Sequence, residues 1–246
     1  MKIGIIGAGN MGGARARMLV ALGHEVALAI SRGPATMRHL AEEIGARPLT
    51  AAEAARSGEI VIVAIPERAI MDLPKDLFEG VPSDVVVIGT GNYYPARDHR
   101  IAAIDDGQID SEWVAEQLGR PVVKAFNNIE AASLLEKSRP EGAAGRIALP
   151  VAGDPPAGRA KVMRLVENLG FDAVDAGGLA DSWRQQPGTP PYVQDFDEPR
   201  LRDALAASDR SRISEYHRAS NEAASAYFQR RLKPRPPGKS RASDRG

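Results

Sequence analysis

Three glycines near the start of the chain are spaced for phosphate binding. Gly7-Ala8-Gly9-Asn10-Met11-Gly12 matches the pattern G-x-G-x-x-G directly after the apolar run Lys2–Ile6. In that pattern the first glycine permits a tight turn, the second lets the backbone approach a pyrophosphate, and the third allows close helix–strand packing. The N–H groups and dipole of the following helix attract the phosphates. Since strand, turn and helix follow in the required order, we expect a dinucleotide site; an ordinary glycine-rich turn is the alternative.

A serine and an arginine stand where the second strand of this unit should end. NAD-preferring proteins place Asp or Glu about 20 residues beyond the glycine turn, where the carboxylate binds the ribose 2′-hydroxyl and repels a 2′-phosphate. Here that place holds Ser31 and Arg32, and a hydroxyl beside a guanidinium suits a phosphate dianion. Gly33 and Thr36 can complete the pocket with an N–H and a hydroxyl. We therefore expect NADP(H) as the cofactor, the alternative being a surface arginine that begins a helix.

Three later loops are expected to meet at the carboxyl edge of the sheet, where a nicotinamide and its reaction partner should lie. They span residues 64–68, 90–95 and 124–129. Ile65 and Pro66 would form an apolar wall beside the nicotinamide, and Gly91 would allow close approach. The amides of Asn92, Asn127 and Asn128 would bind the nicotinamide carboxamide or a heterocyclic acceptor. Together with Lys124, the last two asparagines are our candidates for the catalytic step.

None of the side chains in these loops is an obvious compulsory proton donor. Reduction of a carbonyl normally uses a positioned acid, whereas hydride transfer to a flavin-like ring needs chiefly orientation and a dry apolar contact. Lys124 and Tyr93 are the available acids, although Lys124 is more simply an ion-paired lysine at a strand end. No carboxylates are obviously paired, and Trp113 and Trp183 are interpreted as packing residues. The histidines are interpreted as surface residues without metal-ligand spacing: His24, His39, His99 and His217.

The elements that must position these residues alternate between strands and helices, which predicts an α/β fold. Apolar runs typical of buried parallel strands occur at Lys2–Ile6 and at residues 25–30, 60–65, 85–88, 121–125, 146–152 and 172–175. Thr50 and Glu53 predict a capping box, and Asp154 a carboxylate cap for a helix that runs to about residue 169. A further helix is expected over 34–44. The predicted fold is a Rossmann doubly wound parallel sheet with helices on both faces and a small C-terminal helical extension.

Composition limits the classes of partner. The 246 residues carry 32 basic and 32 acidic side chains and no cysteine, so neither nucleic acid nor a membrane surface is an expected partner, and disulfides and thiolate metal sites are excluded. We see no leader peptide and no apolar run near about 18 residues, and expect a cytoplasmic protein acting on a small molecule. The predicted organisation is an NADP-binding domain over 1–180, a loop and one or two helices over 181–232, and a basic, disordered tail over 233–246.

Several of these motifs together resemble the NADPH-dependent reductases of the deazaflavin coenzyme F420. The likeness covers about residues 1–185. Besides the glycine turn, it rests on Ser31-Arg32-Gly33-Pro34, Ala64-Ile65-Pro66, Asp175-Ala176-Gly177 and above all residues 122–129, Val-Val-Lys-Ala-Phe-Asn-Asn-Ile. The resemblance implies a Rossmann domain that binds NADP(H), a small C-terminal portion that helps close the acceptor pocket, and direct hydride transfer between nicotinamide and deazaflavin in a homodimer.

The same resemblance assigns roles to particular residues. Residues 8–11 would contact the pyrophosphate, and Ser31 and Arg32 the 2′-phosphate. Ile65 and Glu67 would contact the nicotinamide. Asn127, Asn128 and Ile129 would contact the acceptor.

Two other functions remain open on the sequence. One is NADPH-dependent reduction of a small carbonyl or imine, as in hydroxyacid and pyrroline-carboxylate reductases. Those enzymes share the N-terminal fold but carry a large helical substrate domain, whereas here only about 45 residues lie between the α/β part and the tail. The other is a non-catalytic NADPH sensor, which the missing acid or base would suit. The C-terminal helices could form a dimer interface or pack on their own domain.

Overall fold

The computed structural model describes residues 1–31 and 33–232 and contains one eight-stranded sheet. Its strands are β1 (Lys2–Ile6), β2 (Glu25–Ala29), β3 (Arg47–Pro48), β4 (Ile60–Val63), β5 (Val86–Gly89), β6 (Val122–Lys124), β7 (Ala148–Gly153) and β8 (Asp172–Asp175). The spatial order is β3-β2-β1-β4-β5-β6-β7-β8. The first six strands thus have the order of a doubly wound dinucleotide-binding fold.

All neighbouring strands are parallel except β6 and β7, which pair antiparallel through Val123 with Gly153 and Lys124 with Ala152. The predicted doubly wound sheet is therefore confirmed, with one reversal near its edge. Expected strand positions hold to within two residues at either end. The two-residue strand β3 has no apolar run of its own and was not predicted.

Helices cover both faces of the sheet. They are α1 (Asn10–Ala21), α2 (Arg38–Ile44), α3 (Ala51–Arg56), α4 (Glu67–Ile70), α5 (Pro95–Asp98), α6 (Ala102–Asp105), α7 (Asp110–Leu118), α8 (Ala131–Glu136), α9 (Pro156–Asn168), α10 (Glu198–Ala206) and α11 (Ile213–Leu232). Short 3-10 helices occur at Pro34–Met37, Leu179–Gln185 and Arg210–Arg212.

The core has two main layers because successive side chains of a strand point to opposite faces. In β4, Ile60 and Ile62 join the apolar cluster under α1 and α9, whereas Val61 and Val63 join the cluster with Trp113 of α7. All four strand residues are buried. Trp113 and Trp183 are buried too, as expected for packing residues.

Two helix starts test the predicted capping residues. Thr50 and Glu53 form the full capping box at α3, with the Glu53 N–H donating to Thr50 Oγ1 over 3.2 Å and the Thr50 N–H to Glu53 Oε2 over 2.9 Å. The prediction for Asp154 was wrong. Pro155 occupies the N-cap of α9 without a side-chain bond, and Asp154 Oδ2 instead accepts from the Leu179 N–H over 3.0 Å. The helix expected over 34–44 begins as a 3-10 helix and becomes α-helical only at Arg38.

The C-terminal extension forms two helices that pack on the chain's own α/β part. Leu201 and Leu205 of α10 lie against β7 and β8. The last helix, α11, packs on α5, where Asn221 Oδ1 accepts from the Ala96 N–H over 3.0 Å and Phe228 contacts Tyr94 with ring centres 5.3 Å apart. The predicted tail over 233–246 lies outside the described residues. Within residues 1–31 and 33–232, no helix is long and apolar enough to cross a bilayer.

Candidate functional site

The glycine turn between β1 and α1 leaves space in front of the helix. A side chain at Gly7, which has φ of +118°, would collide with the backbone of Ala64, and one at Gly12 would collide with the carbonyl of Gly7. At Gly9 no heavy atom lies within 4 Å of the position that a β-carbon would occupy. The three glycines therefore have the three roles expected of the fingerprint: tight turn, open approach and close packing.

The open space at Gly9 suits a phosphate group. Gly9 is the N-cap of α1 and has no side chain to cap the helix, so the first-turn N–H groups of this 12-residue helix receive no bond from it. Free N–H groups and the positive end of the helix dipole are the features by which such turns bind pyrophosphate. Residues 8–11 therefore fit the phosphates of a dinucleotide.

The end of β2 lies beside this turn, because the Gly7 N–H donates to Ala29 O over 2.8 Å. Ser31 is exposed just beyond the strand. Gly33 has φ of +81°, a left-handed conformation that glycine adopts without strain, and the Thr36 hydroxyl donates to its carbonyl over 3.0 Å. This bond ties Thr36 to the turn that follows Ser31, and the role of both residues at the 2′-phosphate stays a prediction. Arg32, the residue expected to bind the 2′-phosphate, lies outside the described residues.

On the side predicted for the nicotinamide, the loop after β4 leaves two apolar residues at least partly exposed and buries an acid. Ile65 is half-buried and Pro66 exposed, as a wall facing a ligand requires, whereas Glu67 at the start of α4 is 0% exposed. A side chain at Gly91 would collide with the Glu67 carboxyl group. The absence of a side chain at Gly91 thus makes room for Glu67, a role that the sequence did not indicate.

Glu67 belongs to a buried cluster of charges at this edge of the sheet. Its Oε2 accepts from Arg97 Nη2 over 3.0 Å, while Oε1 is buried and has no hydrogen-bond partner. Arg97 also binds Asp98 through Nε to Oδ1, 3.0 Å, and Nη2 to Oδ2, 2.7 Å. Burial raises the pKa of Glu67 to about 8, although the charges of Lys124 and Arg97 oppose that rise. Burial thus favours the neutral form of Glu67, against the attraction of the two neighbouring cations.

Lys124, a candidate catalytic residue, is fully engaged. It is 1% exposed, and its ammonium group donates to Gly91 O over 2.7 Å and to the two carboxylate oxygens of Asp110 over 3.2 and 3.1 Å. These three bonds use its three N–H donors. Tyr93, the other available acid, donates to Asp105 over 2.8 Å, and burial raises its pKa to about 12. Neither side chain is placed here as a ready proton donor.

The asparagines after β6 lie beneath the loop that follows Gln185. Asn127 Nδ2 donates to Gln185 O over 2.6 Å and to Asn92 Oδ1 over 3.0 Å, and Asn92 Nδ2 donates back to Asn127 O over 3.1 Å. Asn128 Nδ2 donates to Pro191 O over 3.2 Å. Both asparagines and Ile129 are buried, and the Oδ1 atoms of Asn127 and Asn128 have no partner. The structure thus brings Asn92 and Asn127 together and leaves two buried amide oxygens unpaired beside the predicted acceptor position.

Arg15 supports this loop and was missed by sequence reasoning. The side chain reaches from α1 and donates from Nη2 to Phe126 O over 2.7 Å, while Phe126 itself has φ of +60°. Arg15 is 2% exposed, and burial lowers its pKa to about 9. One arginine on a helix gives no sequence signal for such a contact, since the partner is 111 residues away.

The burial of three acids was likewise not predicted. Glu67, Asp98 and Asp110 are 0% exposed, although their spacing shows no pairing pattern. His217 was expected on the surface but is half-buried, its Nε2 has no partner, and burial lowers its pKa. Among the described residues, no group of three His, Cys, Asp or Glu side chains is placed to hold a metal ion.

Comparison with known proteins groups the first part of this chain with one family. Residues 2–93 match the family model described as NADP oxidoreductase, coenzyme F420-dependent. A stretch of 58 residues is 53% identical to the Escherichia coli K12 protein YjhV and covers 24% of this chain and 42% of that relative. The matched stretch therefore spans less than half the length of the curated relative.

Two solved structures share the fold over a larger part of the chain. A hypothetical protein from Sinorhizobium meliloti is 29% identical, with a TM-score of 0.68, over 80% of this chain and 95% of its own. A protein from Arthrobacter sp. FB24, for which an F420-dependent NADP-reductase role has been suggested, is 23% identical, with a TM-score of 0.61, over 74% of this chain and 87% of its own. The common fold thus extends well beyond residues 2–93.

Proposed function

Because residues 2–93 match the model of the coenzyme F420-dependent NADP oxidoreductase family, we propose that this chain transfers hydride between NADP(H) and a deazaflavin, coenzyme F420, or a flavin-like acceptor. The observation that carries the proposal is the open nucleotide turn. The space at Gly9 and the uncapped start of α1 fit a pyrophosphate, and Ser31-Arg32 in the sequence after β2 fits a 2′-phosphate.

The acceptor side supports a heteroaromatic partner. When bound, NADPH supplies the hydride, and such a transfer to a flavin-like ring requires orientation and exclusion of water more than a strong acid. Lys124 and Tyr93 are both committed to other groups. Asn127 and Asn128 carry unpaired amide oxygens that can accept hydrogen bonds from a ring N–H. Ile65 and Pro66 would shield the nicotinamide face from water.

We also propose that the protein acts in the cytoplasm as a homodimer. The family resemblance supports this assignment. Light scattering after size-exclusion chromatography should give twice the chain mass of 26.3 kDa; a single-chain mass at all concentrations would refute the dimer.

The decisive test is to mix the purified full-length protein anaerobically with NADPH and oxidised coenzyme F420 and to follow the loss of the deazaflavin visible band. We expect rapid bleaching with NADPH and much slower bleaching with NADH. No bleaching, despite saturable NADPH binding, would refute the deazaflavin assignment and leave another acceptor or a sensor.

The cofactor choice is tested by Arg32→Ala. Loss of the guanidinium should weaken NADPH binding by at least tenfold and change NADH binding little, because only NADPH carries the 2′-phosphate. Arg164→Ala is the matched control, since Arg164 is an exposed arginine on α9 outside the predicted site. Equal losses for the two nucleotides in Arg32→Ala would contradict the assignment.

A further inference from the structure

Five charged side chains lie together at the carboxyl edge of β4, β5 and β6, four of them buried and Arg97 half-buried. Three are acids, Glu67, Asp98 and Asp110, and two are bases, Arg97 and Lys124. Arg97 pairs with Asp98 at 2.7 Å, and Lys124 with Asp110 at 3.1 Å. With both pairs formed, Glu67 is the carboxyl group left in excess.

The hydrogen bonds single out the same residue. Both oxygens of Asp98 accept bonds, from Arg97 and from the Tyr94 N–H, and both oxygens of Asp110 accept from Lys124. Glu67 Oε1 alone among these carboxylate oxygens is buried without a partner. An unsolvated carboxylate oxygen is costly, whereas a protonated one carries no net charge. The cluster is electrically neutral when Glu67 holds a proton.

Glu67 also lies next to the nucleotide turn. Gly7 packs against Ala64 and Ile65, so that the loop leading to Glu67 borders the residues that fit the pyrophosphate. Ligands of doubly wound sheets bind at the carboxyl ends of the strands, and β1 and β4 are neighbours in the sheet. A nicotinamide that extended from this turn over β4 would come close to the Glu67 loop.

We propose, on the premise of the NADP(H) function proposed above, that Glu67 is a neutral acid with NADPH bound and a carboxylate with NADP+ bound. Its charge then follows the oxidation state of the cofactor. A neutral dihydronicotinamide leaves the balance of the buried cluster unchanged, whereas the cationic nicotinamide ring of NADP+ stabilises a nearby carboxylate. The other groups that face Glu67 are Arg97 and Asp98 from α5, Asp110 from α7, Lys124 from β6 and the Tyr192 hydroxyl.

The step balances in protons and electrons. When bound, NADPH would supply a hydride, a proton with two electrons, to the acceptor and would be left with a cationic nicotinamide ring. Glu67 loses its proton to water by cleavage of its O–H bond, and the carboxylate remains bonded to Arg97. The reduced acceptor takes up one proton from solvent. The proton that Glu67 releases restores the number of protons in solvent. In the opposite direction, Glu67 takes up a proton as NADPH forms.

Binding calorimetry tests the proposal without an acceptor. We would titrate NADP+ and NADPH into the full-length protein at pH 7 in buffers of different ionisation enthalpy, which gives the number of protons released. We expect most of one proton to be released with NADP+ and almost none with NADPH. Glu67→Gln should abolish the difference. Glu116→Gln, which changes an exposed acid of α7, should retain it.

The pH dependence of affinity in the unmodified protein gives a second readout, which does not require the variant to fold. Between pH 6.5 and 8.5, the ratio of the Kd for NADPH to that for NADP+ should rise at least tenfold, because NADP+ binding requires the carboxylate. The 2′-phosphate titrates in both nucleotides and cancels in the ratio. A constant ratio, or equal proton release for both nucleotides, would overturn the inference alone; failure to bind either nucleotide would overturn the proposed function with it.

Discussion

Gly9 and Gly13 lie four residues apart, yet alanine should act on binding at the first position and on stability at the second. At Gly9 the φ of −67° suits alanine, and no heavy atom lies within 4 Å of the added carbon, so we expect unchanged stability. NADPH binding should become at least tenfold weaker, because the methyl group would occupy the space predicted for the phosphates. At Gly13, inside α1, alanine should raise the free energy of unfolding by about 0.5–1 kcal/mol and leave binding unchanged. Equilibrium titration and denaturant unfolding of both variants measure this; unchanged NADPH binding in Gly9→Ala would place the phosphates elsewhere.

Glu67 predicts a pH dependence of stability in the free protein. Its pKa is raised from the ordinary 4.5 to about 8 by burial, so between these pH values the folded state holds more protons than the unfolded state. The free energy of unfolding must then fall as pH rises through this window. Between pH 5 and 8 we expect the wild type to lose about 1–3 kcal/mol more than Glu67→Gln. Urea unfolding at several pH values measures the difference; parallel curves would contradict it.

At the level of single residues, the sequence predicted the glycines well because each acts through its own backbone. Burial and pairing depend on chain segments distant in sequence. Glu67 contacts Arg97, which lies 30 residues away, and Arg15 contacts Phe126. No local pattern records such contacts, and the resemblance placed Glu67 near the nicotinamide without indicating its buried charge. The burial of Asp98 and Asp110 was not predicted for the same reason.

Among the elements, α11 has a testable effect on the short helix α5. Arg97 of α5 lies with its guanidinium carbon 5.6 Å from the ring centres of both Tyr94 and Phe228, and Phe228 belongs to α11. The Asn221 side chain accepts the Ala96 N–H at the start of α5. The C-terminal helix therefore restrains the segment that supplies the partner of Glu67.

Asn221→Ala should loosen this contact. Loss of one side-chain hydrogen bond should lower the free energy of unfolding by about 1 kcal/mol and accelerate amide exchange in α5. Glu222→Ala, at the neighbouring exposed position of α11, is the control and should change neither quantity. Hydrogen exchange with mass spectrometry resolves the segment. Unchanged exchange in α5 would mean that α11 does not restrain it.

The elements that the sequence predicted are those with a long or strongly apolar pattern. The strands β1, β4 and β6 were found because their residues are nearly all apolar, and the capping box of α3 because its two residues lie three apart. Helices of four residues, such as α4 and α5, are too short to show a periodicity. The reversed direction of β7 depends on pairing across the sheet, which an apolar run does not reveal.

For the whole molecule, nucleotide binding should appear as thermal stability. A ligand that binds only the folded state at 100 times its Kd stabilises by about 2.7 kcal/mol at 25 °C. With NADPH at that concentration we expect a rise in Tm of a few degrees. At the same concentration NADH should give a clearly smaller rise, since it lacks the 2′-phosphate. Differential scanning fluorimetry compares the two; equal shifts would argue against NADP(H) preference.

The segment over the buried asparagines is held by its main chain. Asn127 and Asn128 donate to the carbonyl oxygens of Gln185 and Pro191, and these bonds do not depend on which side chains the covering segment carries. The main chain of this segment therefore fixes its position, whereas its side chains determine the surface that it presents. Substitutions in it would change the size and polarity of the surface that it presents while the loop keeps its path. On the proposed function, acceptor preference would then change through these side chains without loss of the cofactor site.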